Sequence, residues 1–290
     1  MNKRQIGTTE LHVHEIGYGA MHLSIDRVKR PSEQEAITLL QRAVDELGIN
    51  FIDTADAYCA DDTETGHNER LIAQALKGER RTRVVVATKG GSVRPGGRWE
   101  RNGRPEHLRT ACDASLKALD TDHIDLYQLH APDPEVPVEE SVGTLADLQR
   151  QGKIRYIGVS NFTLGQIQRS MREATITSIQ NQFSVINQRE DMDLLKFCEE
   201  HHITYIPWNP VGGRGTAPKL GDEWDVLEAV AARHKVPAHS VALAWLLALS
   251  PVMLPIPGTT KFDHLAENVR AADLRLSGEE MAELSAGRTV

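Results

Sequence analysis

Four side chains, far apart along the chain, could do chemistry together if the fold brought them to one place. Asp53 closes the run Phe51-Ile52-Asp53 and Tyr58 follows it. Lys89 closes Val84–Lys89, and His130 closes Ile124–His130. A tyrosine hydroxyl titrates at about 10 and gives up its proton reluctantly at neutral pH. A neighbouring ammonium favours the phenolate and lowers that pKa, and a carboxylate paired with the ammonium keeps it charged and aimed. A neutral imidazole can hydrogen-bond a carbonyl oxygen while negative charge develops on it. Asp, Lys, Tyr and His together make a proton donor for an incipient alkoxide. That suits carbonyl reduction, with the hydride supplied from elsewhere. A Schiff base on Lys89 is the alternative, but it leaves Tyr58 and the later motifs without a part. The sequence carries no HExxH, Walker A or GxSxG motif.

Such convergence needs elements whose ends open on one face. Eight strand-like runs can be read: 15–19, 51–53, 84–89, 124–130, 154–160, 176–180, 203–207 and 252–256. Helical patterns separate them, such as Ala36, Ile37, Leu40, Ala43, Val44 and Leu47 at spacings of three and four. Ser32 with Glu35 fits a capping box ahead of that helix, and Pro137 suits the start of the one carrying Val138, Val142, Leu145 and Leu148. Alternation of this kind predicts an α/β fold, a (β/α)8 TIM barrel, with active groups at the C-terminal mouth of the strands. A doubly wound sheet would announce a dinucleotide fingerprint, whereas Gly17-Tyr18-Gly19-Ala20-Met21-His22 lacks the third glycine. Residues 4–6 and 11–13 read as an N-terminal β-hairpin. No linker interrupts the pattern, which predicts a single barrel domain over 1–290. The acidic loop 59–68 and the Gly/Arg-rich loop 90–105 stand out.

The later motifs fall at the same mouth. Ser160 and Asn161 end the fifth strand, and Gln180 ends the sixth. Trp208, Asn209 and Pro210 follow the seventh, then Gly212 and Arg214. Gly258, Thr259 and Lys261 follow the eighth, immediately before a helix carrying His264. An aromatic face can stack a nicotinamide ring, and hydroxyl and amide groups can hold its carboxamide. Glycine-rich backbone and a helix N-terminus suit phosphates, although turn geometry alone also accounts for the glycines.

Composition narrows the remaining classes. The 290 residues are 40% hydrophobic and 26% charged, with a formal charge of −8. That balance argues against nucleic-acid or anionic-membrane partners. Three cysteines without a CxxC pair read as reduced thiols. The N-terminus lacks an apolar signal region and no apolar run reaches membrane-spanning length, so a cytoplasmic protein is expected.

Taken in order, these pieces resemble the aldo-keto reductase family, in a bacterial-type form. The resemblance runs through Gly17–Met21, Phe51–Tyr58, Asn68-Glu69, Ala87–Lys89, Asp125–His130, Gly158–Phe162, Pro255–Thr259 and Glu267-Asn268, nearly the whole chain. It implies a (β/α)8 barrel that binds NADPH in extended form and reduces a small-molecule carbonyl substrate, with Tyr58 as proton donor supported by Asp53, Lys89 and His130. It further implies that Ser160, Asn161 and Gln180 hold the carboxamide and that Trp208 takes a stacking place often filled by Tyr. Glu267 and Asn268 would hold the adenine end, and Gly19, Ala20, Met21 and Asp53 complete the cofactor set. His264 stands where many members place Arg, and the short tail after Asn268 leaves substrate choice to loops 20–30, 59–68, 90–105 and the region of Trp208. The family fold also serves as a cofactor-sensing regulatory subunit, an alternative that the complete quartet argues against.

Overall fold

The computed structural model describes residues 3–187, 192–212 and 224–286. A two-stranded antiparallel hairpin comes first, β1 (Lys3–Gln5) and β2 (His12–His14), in the register Lys3 opposite His14. The parallel sheet then begins with β3 (Tyr18–Gly19), β4 (Phe51–Asp53) and β5 (Val85–Gly90). A small side hairpin follows, β6 (Ser92–Val93) and β7 (Glu100–Arg101). The sheet continues with β8 (Ile124–Leu129), β9 (Ile154–Ser160), β10 (Ile176–Gln180) and β11 (Thr204–Tyr205). The helices that matter below are α1 (Glu33–Asp45), α2 (His67–Ala75), α3 (Glu79–Thr82), α4 (Pro105–Leu119) and α5 (Val138–Arg150). They are followed by α6 (Leu164–Ser170), α7 (Met192–Glu200), α8 (Asp225–His234), α9 (Ala238–Leu249) and α10 (Phe262–Arg270).

Helix α1 shows why the pattern folds locally. Ser32 accepts from the Glu35 N–H and Glu35 returns a carboxylate to the Ser32 N–H, the reciprocal capping box its sequence predicts. Ala36, Leu39, Leu40, Ala43 and Val44 then form its buried stripe.

Among the described residues the parallel sheet has seven strands in the order β3-β4-β5-β8-β9-β10-β11. The expected eighth strand, 252–256, is present as an extended segment that closes the barrel without forming a regular ladder. Tyr205 N–H donates to Val252 and Leu254 N–H donates to Tyr205 on one side. Gly17 N–H donates to Pro255 and Gly19 N–H to Pro257 on the other. Pro255 and Pro257 have no N–H to return, which breaks the ladder. The expected run 15–19 is regular only at Tyr18–Gly19, and 203–207 only at Thr204–Tyr205. The seam is also tight: a Cβ on Gly19 would sit 2.6 Å from the Ile256 carbonyl oxygen.

The hairpin plugs the bottom of the barrel. Ile6 and Val13 pack there with the inward-facing Phe51, Ala87, Leu126, Ile206, Leu254 and Ile256, all buried. Arg4 fastens the plug by donating to the Ser250 and Leu247 carbonyls, at 2.6 and 2.8 Å. Outward-facing strand residues join the helices in a second, larger apolar core. With apolar packing closing one end, polar groups at the strand C-termini are left to the other end. Among the described residues no helix is long and apolar enough to cross a membrane, and no cluster of His, Cys, Asp and Glu could hold a metal ion.

Candidate active site

The strand ends bring the four expected side chains together. Lys89 is fully buried on β5, and its ammonium donates to Asp53 Oδ1 at 2.5 Å, to the Thr54 carbonyl at 2.9 Å and to Tyr58 Oη at 3.0 Å. Those three bonds use its three N–H groups. Asp53, at the end of β4, spends its other oxygen on the side-chain amides of Gln180, at 2.8 Å, and Gln128, at 3.2 Å. Tyr58 meets the His130 ring edge-to-face with centroids 5.7 Å apart. The loop that carries Tyr58 extends the pairing of β4 with β5: Thr54 N–H donates to Ala87, and Asp56 N–H to Lys89.

Electrostatics sort the four into roles. Burial opposes charge on Lys89, but Asp53 and Tyr58 together outweigh it and hold the ammonium above its ordinary value. For Tyr58 the outcome corrects the sequence expectation. Burial, reinforced by the Asp53 charge, outweighs the attraction of Lys89 and leaves the hydroxyl above its ordinary value rather than below. Tyr58 is therefore a phenol at neutral pH. Burial and the nearby Lys89 charge push His130 well below its ordinary value, so its ring is neutral. His130 lines the cavity with a neutral ring, which can hydrogen-bond an oxygen in the mouth.

A cavity of about 630 Å³ opens above this group. Of the residues singled out from sequence, Gly19, Met21, Asp53, Tyr58, His130, Ser160, Asn161, Gln180, Trp208, Asn209, Pro210, Gly258, Thr259, Lys261 and His264 line it. Lys89 lies beneath the floor. Ala20 is buried, its N–H on the Asp53 carbonyl. Gly212 makes a turn with a bond to the Asn209 carbonyl, while Glu267 and Asn268 sit on α10 away from the cavity wall. Arg214 lies outside the described residues.

Two local devices shape the wall. Asn161 adopts a left-handed backbone (φ +61°), a conformation that Asn tolerates. From there its side chain donates to the His130 carbonyl at 3.0 Å and accepts from the Trp208 indole N–H at 3.1 Å. At the far end Lys261 N-caps α10, placing the exposed Lys261 and His264 where N–H groups face outward.

Sequence reading missed Gln128 and Trp99. Gln128 carried a signal: it sits two residues before His130 on a strand, so it shares the inward face. Trp99 carried none. It rides between β6 and β7, half exposed, 5.6 Å from the His130 ring, with the Arg94 guanidinium 4.3 Å over its own ring. Arg94 also donates to the Ala60 carbonyl at 3.1 Å, and Arg30 reaches Glu64 at 2.8 Å. The loops expected to choose the substrate are thus tied to one another.

Comparison with known proteins agrees with this geometry. The model of the family described as "Aldo/keto reductase family" matches residues 15–287. An uncharacterized oxidoreductase, C215.11c, of Schizosaccharomyces pombe is 38% identical, covering 97% of this chain and 89% of its own. The holo form of aldo-keto reductase AKR11C1 from Bacillus halodurans superposes with a TM-score of 0.81 at 31% identity, over 99% of this chain and 96% of that one. An aldo-keto reductase from Klebsiella pneumoniae, solved in complex with NADPH, gives a TM-score of 0.82 at 27% identity, over 99% and 95%. By its barrel, its buried Asp-Lys-Tyr contacts and these matches, the chain belongs to the aldo/keto reductase family and is an NAD(P)H-dependent oxidoreductase.

Proposed function

We propose that this protein reduces an aldehyde or ketone to the alcohol with NADPH, Tyr58 supplying the proton. The observation that carries the reading is the position of Lys89 Nζ, bonded to Asp53 and Tyr58 at once beneath the cavity floor. NADPH, when bound, supplies the hydride. The residues present fit it. Trp208 offers an aromatic face, Ser160 and Asn161 offer hydroxyl and amide groups, and Lys261 and His264 offer cationic or titratable groups at a helix start. Gly19 and Gly258 press together so closely that a Cβ on Gly258 would lie 2.9 Å from the Gly19 carbonyl oxygen, a floor that only bare backbone allows.

This chain's own groups then have defined tasks. Tyr58 presents a protonated hydroxyl at the floor, and neutral His130 orients the substrate oxygen beside it. As negative charge grows on that oxygen, the Tyr58 proton moves to it, and the phenolate left behind is stabilised by the Lys89 ammonium at 3.0 Å. Asp53 keeps that ammonium charged and aimed. Trp99 and Trp208 give the mouth apolar walls, which favour aromatic or apolar carbonyl compounds. A Schiff base on Lys89 finds no support, because its ammonium is wholly buried and fully hydrogen-bonded. Mixing the protein with NADPH and an aromatic aldehyde tests the reading: loss of nicotinamide absorbance with alcohol formation supports it. NADPH binding without turnover across a panel of aldehydes and ketones would replace it with a cofactor-sensing role.

A further inference from the structure

Two carboxyl groups outside the cavity lie behind the strand that carries Lys89. Asp56 is 4% exposed and Glu69 0%. Asp56 N–H donates to the Lys89 carbonyl at 3.2 Å, and the Asp56 carbonyl accepts from Gly66 N–H at 2.8 Å. Residue 56 therefore binds the Tyr58 loop to β5 on one side and to the start of α2 on the other. Glu69, on α2, accepts from the hydroxyl of Thr88 at 2.6 Å, and Thr88 is the residue before Lys89. Asp56 Oδ1 and Glu69 Oε2 each lack a hydrogen-bond partner. A buried carboxyl oxygen in that condition is costly when charged and far less so when a proton is present.

Few groups offset two charges: the Ala57 backbone N–H favours ionisation of Asp56, and the Thr88 and Ser115 hydroxyls favour that of Glu69. Lys89 on β5 favours ionisation of Asp56, but its ammonium points to the barrel interior and is already committed. Arg70 on α2 acts weakly on Glu69. From β8 the pair faces Tyr127, whose buried hydroxyl is itself unpartnered, and from α4 it faces Cys112 and the Ser115 hydroxyl. Burial lifts Glu69 to about 7 and, reinforced by the Glu69 charge, lifts Asp56 well above the usual carboxylate range.

We infer that the buried Asp56 and Glu69, tied to the Tyr58 loop and to the residue before Lys89, act as a unit that positions Tyr58 and Lys89. The inference rests on the reading of Tyr58 as proton donor. The pair donates nothing to substrate; it sets the charge behind the donor. When both carboxyl groups are ionised, two negative charges stand in desolvated space, between the anchor of the Tyr58 loop and the anchor of the Lys89 strand. A negative Asp56 also makes the Tyr58 phenol a weaker acid. Reduction should therefore weaken on the alkaline side as the pair ionises.

The test uses Asp56→Asn and Glu69→Gln, which keep shape but cannot ionise, with Tyr58→Phe as control. The first readout is the fall of kcat from neutral to alkaline pH at saturating NADPH and aldehyde, with NADPH affinity followed separately. Asp56→Asn is expected to move the alkaline limb upward by about one pH unit, whereas Glu69→Gln, which removes the charge that helps hold the Asp56 proton, should move it downward. The second readout is the melting temperature of the cofactor-free protein against pH. Glu69 has a higher pKa folded than unfolded, so its stabilising share is complete below the unfolded value and drains away as pH rises toward about 7. Wild type should lose melting temperature across that window, and Glu69→Gln should be flatter whatever its absolute stability. Wild-type slopes in both variants would overturn the unit. A flattened melting profile with an unmoved kcat limb would overturn the positioning role. Full activity in Tyr58→Phe would instead remove the donor reading, leaving the melting profiles to judge the pair alone.

Discussion

Gln180 donates its side-chain amide to Asp53 Oδ2 at 2.8 Å, so the sixth barrel strand grips the carboxylate that holds Lys89. Resemblance to the family implies that Gln180 serves a cofactor carboxamide, and the structure adds this second obligation. Removing one donor from a buried carboxylate costs about 1–3 kcal/mol. Gln180→Ala should therefore lower kcat by roughly tenfold and also lower the melting temperature of the cofactor-free protein. Thermal melts without NADPH isolate the Asp53 contact; an unchanged melt would confine Gln180 to the cofactor.

Tyr58→Phe removes one hydroxyl from the cavity floor and leaves the ring against His130. General acid catalysis contributes about 10²–10⁴-fold, so kcat should fall by at least that range while NADPH affinity stays near wild type. Single-turnover reduction beside a fluorescence titration of NADPH makes the comparison. A variant that keeps most of its kcat would assign the proton to another group.

Lys89→Met should disable the acid step, because the phenolate loses the charge that stabilises it. Asp53→Asn should act largely through Lys89. Groups that work as a unit give losses that do not add. The double variant should be little worse than Lys89→Met alone, and the product of the two single losses in kcat would contradict the coupling.

His264 tests the cofactor's phosphate end. An arginine keeps its charge throughout, which an imidazole does not. His264→Arg should tighten NADPH binding and barely alter NADH. Dissociation constants for both cofactors across pH read this out, and an unchanged NADPH/NADH preference in His264→Arg and His264→Ala would make His264 a plain surface residue of α10.

Much of this arrangement was legible in the residues. Asp53, Lys89 and His130 stand where apolar runs end, and in a parallel barrel such ends share a mouth. The direction of the Tyr58 shift was not legible, because it turns on how completely the ring is buried, a property of distant contacts. The run 252–256 predicts a strand, and Pro255 and Pro257 carry the unread signal that it cannot pair regularly. Trp99 stayed hidden because the 90–105 loop has no periodicity, and its place depends on the Arg94 guanidinium lying over it.

The proline-interrupted seam has a dynamic consequence. Across the join between residues 17–19 and 255–257, N–H groups donate from one side only, so local opening there breaks fewer bonds than along the β8–β9 ladder. Amide hydrogen exchange should be fastest along this join, with the Gly17 and Gly19 amides losing protection before those of β8 and β9. The same join borders Met21 and Thr259 on the cavity wall. If NADPH lies in this cavity as proposed, breathing of the scaffold and cofactor exchange share one weak line.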